Sequence, residues 1–352
     1  MEKLLIVKRR SNFYLSLIFL ILLLCFNFIV WQMHFLEQKR LSNESFHAYA
    51  NHIDHSISRQ IDTYIQLLEQ GSNFYKSSDV VTRQEFTEYF HDTLETRQLK
   101  GAERVMFIDR TSNREAYEQL IKKEPTTPEN KHNYFSIFPP GIRTEYFPIN
   151  YVVPEEDSGS YFGFDIATSE EFKEDFQQAI LKNQVIVTKN KTFINKEYIL
   201  LIRPIYAKDK PNRTELERQR SLVGYLVLFL NPTTMFDTVF DDKDMKFLIN
   251  TKVYSGYGVN NINSNNLPLF ENNSIPLSAG KQRGDYFYSS RMLFADKQVT
   301  LTVEGERKPE SMFFEKTVPT AIFIFHSVVI LAFFLLMIDM SYPELPHDET
   351  KE

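Results

Sequence analysis

The chain has 352 residues, 43% of them hydrophobic and 14% aromatic, with a formal charge of −6. An acidic balance without a concentrated basic patch excludes a nucleic-acid binder. A single cysteine, Cys25, excludes an internal disulfide framework and any cysteine-built zinc site.

Lys3, Lys8, Arg9 and Arg10 precede an uncharged run, Phe13 to Trp31, long enough to cross a bilayer as a helix. The bulky "WQMHF" that follows offers no small-residue cleavage site, so an uncleaved anchor is expected rather than a signal peptide. A second uncharged run spans Val318 to Ile338. The basic start sets the N-terminus in the cytoplasm. Parity then returns the C-terminus there, and residues from about Gln32 to Thr317 lie outside. His326 and Asn27, one in each run, are candidate partners across the two spans.

Beyond Trp31, Ile53, Ile57, Ile61, Tyr64 and Leu68 recur every three or four residues, one apolar stripe of a stalk helix that Gly71 is expected to end. The stripe suits either a coiled-coil seam in a homodimer or packing on the chain's own domain. His47, His52 and His55 stand close on this helix, but with no fourth ligand evident they are read as solvated residues. Thr82 and Glu85 form a capping box, and Phe86, Tyr89, Phe90 and Leu94 line one face of the next helix. "RVMFID" then reads as a strand, "NREAYEQLIKK" as a short helix, and "YFSIF" and "EYFPINYVV" as strands. Thr168 and Glu171 suggest a second capping box, with Phe172, Phe176, Ala179 and Ile180 on the covered face. "QVIVT", "YILLIRPIY" and "LVGYLVLFL" read as strands interrupted by a charged loop, "KDKPNRTELERQR". Asn231 and Pro232 are expected to open a short helix. "MKFLINTKVYSGYG", "YFYSSRMLF" and "QVTLTVEG" supply the last strands, and the Asn-rich stretch 258–274 reads as a loop. Helices segregated from antiparallel strands give an α+β fold with about two sheets.

No phosphate-binding glycine loop, Gly-x-Ser-x-Gly elbow or His-Glu-x-x-His motif occurs, so no enzyme is expected. No cofactor is expected either.

The segment from Thr82 to Asp237 resembles the CHASE domain, the extracellular sensor of cytokinin receptors and of many bacterial histidine kinases and diguanylate cyclases. The resemblance rests on an ordered set: "NREAYE", "FSIFPPGIRTEYFPINYVVP", "GFD" at Gly163 to Asp165, "QVIVT" and "RPIY". It implies a long stalk helix followed by two PAS-like antiparallel sheet subdomains, flanked by two transmembrane helices. It also implies a small-molecule ligand in the membrane-distal subdomain. In cytokinin receptors an aspartate at the Gly-aromatic-Asp position takes hydrogen bonds from an adenine-like ligand, and Asp165 matches it. Val187 falls where that pocket has a leucine. Read from the residues alone, Asp165 could equally cap a strand end, and Arg203, Tyr151 and Tyr225 could line a pocket or pack between strands.

The expected organisation is a cytoplasmic segment 1–12, a span 13–31 and a stalk 32–81. A CHASE-like sensor region 82–237, a membrane-proximal PAS-like subdomain 238–317, a span 318–338 and a tail 339–352 follow. The short tail leads to the expectation of a receptor of the inner membrane that signals through a partner histidine kinase or diguanylate cyclase, or of a scaffold with a vestigial pocket.

Overall fold

The computed structural model describes residues 2–96, 99–124, 135–154, 161–193, 196–240, 247–256, 268–273 and 285–341. The Asn-rich stretch lies mostly outside these residues, and its described end, Phe270–Asn273, is a strand rather than loop. Helix α1 (Glu2–Ser77) carries the first apolar run and the stalk without a break. Gly71 does not end it. An alanine methyl at that position would lie 2.6 Å from Leu226 Cδ2 and 2.7 Å from Phe90 Cζ, so the glycine admits side chains from a strand and a second helix.

Helix α2 (Arg83–Thr96) begins at the expected capping box. Glu85 Oε2 accepts from Thr82 N at 2.9 Å, and Glu85 N donates to Thr82 Oγ1 at 3.3 Å. Strand β1 (Ala102–Asp109) leads into α3 (Arg114–Lys122), capped by the Asn113 side chain on Ala116 N. Residues 135–138 hold no strand, only an isolated bridge from Phe138 to Phe164, and β2 is confined to Ile149–Val153. Helix α4 (Glu170–Lys182) is N-capped by Ser169 rather than Thr168, whose Oγ1 donates to Asp165 O at 2.7 Å instead. Its buried residues are Phe172, Phe176 and Ala179, and Ile180 packs beside them.

Strands β3 (Ile186–Val187), β4 (Lys191–Phe193), β5 (Lys196–Tyr206) and β6 (Leu222–Leu230) complete the first sheet, ordered β2-β1-β6-β5-β3 with β4 on β5. The charged stretch before β6 is not all loop. It contains α5 (Glu215–Ser221), with a full capping box between Thr214 and Glu217. Asn231 opens turns and a 3-10 turn at Asp237–Val239 instead of an α-helix. The second sheet orders β7 (Phe247–Ser255), β8 (Phe270–Asn273), β9 (Tyr286–Phe294) and β10 (Lys297–Arg307) as β8-β7-β10-β9. Helix α6 (Pro309–Ser341) follows. The fold is α+β: a long N-terminal helix and two antiparallel sheets, with two candidate spans.

Alternation puts Phe107, Tyr151, Leu226 and Leu201 on one face of the first sheet, toward α1 and α2. Tyr75 of α1 stacks on Phe107 with centroids 4.4 Å apart, and Phe86 of α2 meets Tyr151 at 5.2 Å. The opposite face carries Met106, Ile108, Val227 and Phe229 and is covered by Phe172 and Phe176 of α4. Ile53, Ile57, Ile61 and Leu68 are fully buried within the chain, so the stalk stripe is filled by the chain's own side chains.

Contacts divide the chain into two units, Tyr49–Met245 with Ile249–Glu304, and the remainder, which holds both apolar runs. α1 and α6 are long and apolar enough to cross a membrane. Within the second unit, Asn27 Nδ2 donates to Ser327 Oγ at 2.9 Å and to Phe323 O at 3.3 Å. The partner of Asn27 is therefore Ser327 and not His326, which sits on the exposed side of α6.

Candidate ligand-binding site

The "GFD" stretch is held by backbone on both sides. Gly163 has φ +89°, and an added Cβ would run into the Ser136 carbonyl, so only glycine fits. Gly163 N donates to Ile149 O at 2.9 Å, and Asp165 N donates to Phe138 O at 2.7 Å. This threading delivers Asp165 fully buried. Its Oδ1 accepts from Phe147 N at 2.8 Å and Ala167 N at 3.2 Å, and its Oδ2 accepts from Arg143 Nη1 at 3.1 Å. Asp165 thus caps the 3-10 turn Ile166–Thr168 and anchors an arginine whose side chain is 25% exposed. A carboxylate has about four acceptor positions, so three internal donors leave Oδ2 with room for one more.

The other expected site residues lie elsewhere. Register pairs Val187 with Leu201 and Arg203 with Leu226, so both share the α1-facing side with Tyr151. Arg203 pairs with Glu69 of α1 at 3.2 Å, and Val187 N donates to Asp296 Oδ1 at 2.8 Å. Asp165 adjoins the opposite face, where Phe147 and Ile166 join the core under α4. The four residues therefore do not converge. Tyr225 is buried in that core, its ring 4.6 Å from Phe176 and 5.8 Å from Phe147. Among the described residues no group of three or more His, Cys, Asp or Glu could hold a metal ion, and His52 and His55 are exposed.

Tyr151 instead borders a cavity of about 460 Å³ at the α1-facing edge of the first sheet. Tyr75, Asp109, Tyr117, Glu124 and Asn150 line it as well. Asp109 ends β1, and its Oδ2 accepts from Tyr117 Oη at 2.6 Å and Asn150 Nδ2 at 2.8 Å. Burial raises the Asp109 carboxyl to about 6, against the pull of those two donors, and the Glu124 charge adds to the rise. Burial also raises Glu124, although Arg83 lies 3.5 Å away. Arg83 is committed to Asn150, through Asn150 O at 2.9 Å and Oδ1 at 3.0 Å, and lies over the rings of Tyr151 and Phe162. Burial raises the hydroxyls of Tyr75, Tyr117 and Tyr151, keeping all three neutral.

Sequence reasoning read Asp109 and Tyr117 only as members of a strand and a helix. The signal was present in "NREAYE", whose residues split their work. Glu118 Oε1 accepts from Arg114 Nε at 2.8 Å and Ile137 N at 2.9 Å, while Arg114 Nη2 donates to Ile137 O at 2.8 Å. Those bonds fix the segment after α3 and aim Tyr117, between them, at Asp109.

The family model of the CHASE domain matches residues 79–266. No curated protein matches the chain. Among solved structures, the sensory domain of the Campylobacter jejuni chemoreceptor Tlp3 with isoleucine bound is 12% identical, with 78% of this chain and 96% of that chain covered and a TM-score of 0.40. The ligand-binding domain of the Pseudomonas aeruginosa PAO1 amino acid chemoreceptor PctC in complex with GABA is 9% identical, covering 75% and 99% at a TM-score of 0.41. The Vibrio cholerae LuxQ periplasmic domain is 10% identical, covering 75% and 98% at 0.37. With over half of its length matched by one family model, the chain belongs to the CHASE domain family.

Proposed function

We propose that this chain is a membrane-anchored sensor that binds a small molecule outside the cytoplasmic membrane and passes the signal to a partner histidine kinase or diguanylate cyclase. The supporting observation is the position of the CHASE match, 79–266, between two helices that each carry a membrane-length apolar run. The basic residues before Phe13 favour a cytoplasmic N-terminus and a periplasmic or extracellular sensor region. The reading requires no catalysis by this chain. Asp165 receives a ligand donor at the Oδ2 position its internal partners leave free, while Tyr151, Arg203 and Val187, on the opposite face of the sheet, belong to a separate α1-facing site. The filled carboxylate of Asp165 favours a second reading, a scaffold whose Asp165 is purely structural.

Topology reporters test the anchor. Fusions at Asn261 should be active only outside the cell, and fusions at either terminus only inside. An Asn261 fusion active in the cytoplasm overturns the sensor reading.

The proposed homodimer uses a surface other than the Ile53–Leu68 stripe. Asn51, His55, Arg59, Asp62 and Gln66 are exposed and fall on one helical face by their spacing of three or four. Single cysteines at these five positions should cross-link between copies. Cysteines at 53, 57, 61 and 68 should not, and the reverse pattern would refute the arrangement.

A further inference from the structure

The Asp109 cavity has features that packing leaves unexplained. Among the described residues its carboxylate is served by neutral donors, Tyr117 Oη and the Asn150 amide, both on Oδ2. The nearby cation, Arg83, donates to Asn150 and Glu124 and not to Asp109. Glu124 brings a second carboxylate to the same wall. Among the described residues, two carboxylates, Asp109 and Glu124, therefore stand near one guanidinium. The Tyr75 hydroxyl, buried on the wall, has no hydrogen-bond partner among the described residues. Four tyrosines, of residues 75, 117, 151 and 206, belong to the lining, and the Tyr206 hydroxyl likewise has no hydrogen-bond partner among the described residues.

We propose that this cavity binds a protonated amine carried on a small apolar body. The ammonium donates to Asp109 Oδ1 and toward Glu124, and the Tyr75 oxygen accepts a third N–H. The tyrosine rings attract the cation by their negative faces and cover the ligand's hydrocarbon. Leu120, Ile121 and Ile205 on the same wall suit that body. Asp79 and Lys208, at the rim, neutralise each other at 2.8 Å and leave the interior carboxylates as the dominant charge. The ordinary cost of a carboxylate held out of water becomes a gain when a cation enters, which accounts for an uncompensated aspartate at a strand end. The inference rests on the reading of the chain as a small-molecule sensor and names the chemistry that one cavity selects. It also links the ligand to the helix that continues into the membrane, because Tyr75 belongs to α1.

The test uses the full chain in detergent at pH 7.5, titrated with butylamine, 2-phenylethylamine and tyramine, and with 2-phenylethanol as the uncharged control. At least one amine should raise the thermal midpoint and give saturable heat on calorimetry, while the alcohol should do neither. Asp109→Asn should weaken the best amine roughly thirtyfold or more, since it removes the charge partner of a desolvated cation. Tyr75→Phe, which deletes only the unpartnered oxygen, should weaken it roughly threefold to tenfold. Glu124→Gln gives a second charge-removing variant on a different element and should also weaken binding. Equal response to amine and alcohol, no response to any amine, or unchanged affinity in Asp109→Asn overturns the proposal. The topology reporters read out separately, so a correct topology with no amine binding sinks this inference and leaves the sensor reading standing.

Discussion

Replacing Asp109 by asparagine is expected to make the protein more stable at pH 8, by about 2–3 kcal/mol. The folded carboxyl titrates near 6, above the ordinary aspartate value, chiefly because burial disfavours its charged form. A raised folded value means the native state holds the proton more tightly than the unfolded chain does. Stability from this group is therefore full below about pH 4 and is lost as the pH rises through 6. Asparagine cannot ionise, yet its carbonyl oxygen still accepts from Tyr117 Oη and Asn150 Nδ2, so the neutral contacts survive. Arg83 and Glu124 pull the Asp109 carboxyl in opposite directions, and neither replaces the loss of water around it. Thermal midpoints of the full chain at pH 4.5 and pH 8 provide the measurement. Wild type should fall relative to the variant by several degrees across that interval, with the smaller gap at the acid end. A variant less stable than wild type at pH 8 would show that the Asp109 charge is compensated after all. A stabilising substitution at a cavity wall also marks the native residue as kept for something other than stability.

Asp165→Ala should act in the opposite direction and cost about 3 kcal/mol. It strips the acceptor from Phe147 N and Ala167 N and leaves the Arg143 guanidinium without its carboxylate. Breaking a buried pair by deleting one partner costs roughly 3–5 kcal/mol, and the partial exposure of Arg143 sets this case at the low end. Asp165→Asn keeps the amide oxygen for Phe147 and Ala167 and loses only the charged contact, so about 1–2 kcal/mol is expected. Chemical denaturation of both variants measures the ladder from aspartate through asparagine to alanine. An alanine variant within about 0.5 kcal/mol of wild type would remove the structural role assigned to the carboxylate. Ligand affinity measured on Asp165→Asn then separates the two readings. A loss of tenfold or more supports ligand contact at Oδ2, and unchanged affinity leaves Asp165 a cap alone.

Features written in short stretches were legible from the amino-acid sequence. The two apolar runs, the Ile53–Leu68 stripe, the Thr82–Glu85 box and the Arg114–Lys122 helix each depend on spacing within a dozen residues, and all are present. The ordered CHASE motifs were legible for the same reason. Local signals failed where two of them competed. Thr168 met a neighbouring carbonyl before it could cap α4, while the box at Thr214 and Glu217 was hidden in a charged stretch that looked like loop. Gly71 carries the ordinary mark of a helix end, and only the arrival of Leu226 and Phe90 makes it an interior contact. The sites depended on tertiary structure throughout. A strand's alternation tells which residues share a face, but which face meets α1 is decided by residues of other elements, far off in the sequence. That choice separated Tyr151, Arg203 and Val187 from Asp165. It also gathered Tyr75, Asp109, Tyr117 and Glu124 from one helix end, one strand end and the α3 region around a single cavity. The raised Asp109 and Glu124 carboxyls there arise because folding withdraws part of the water from groups that, in the extended chain, are solvated like any others.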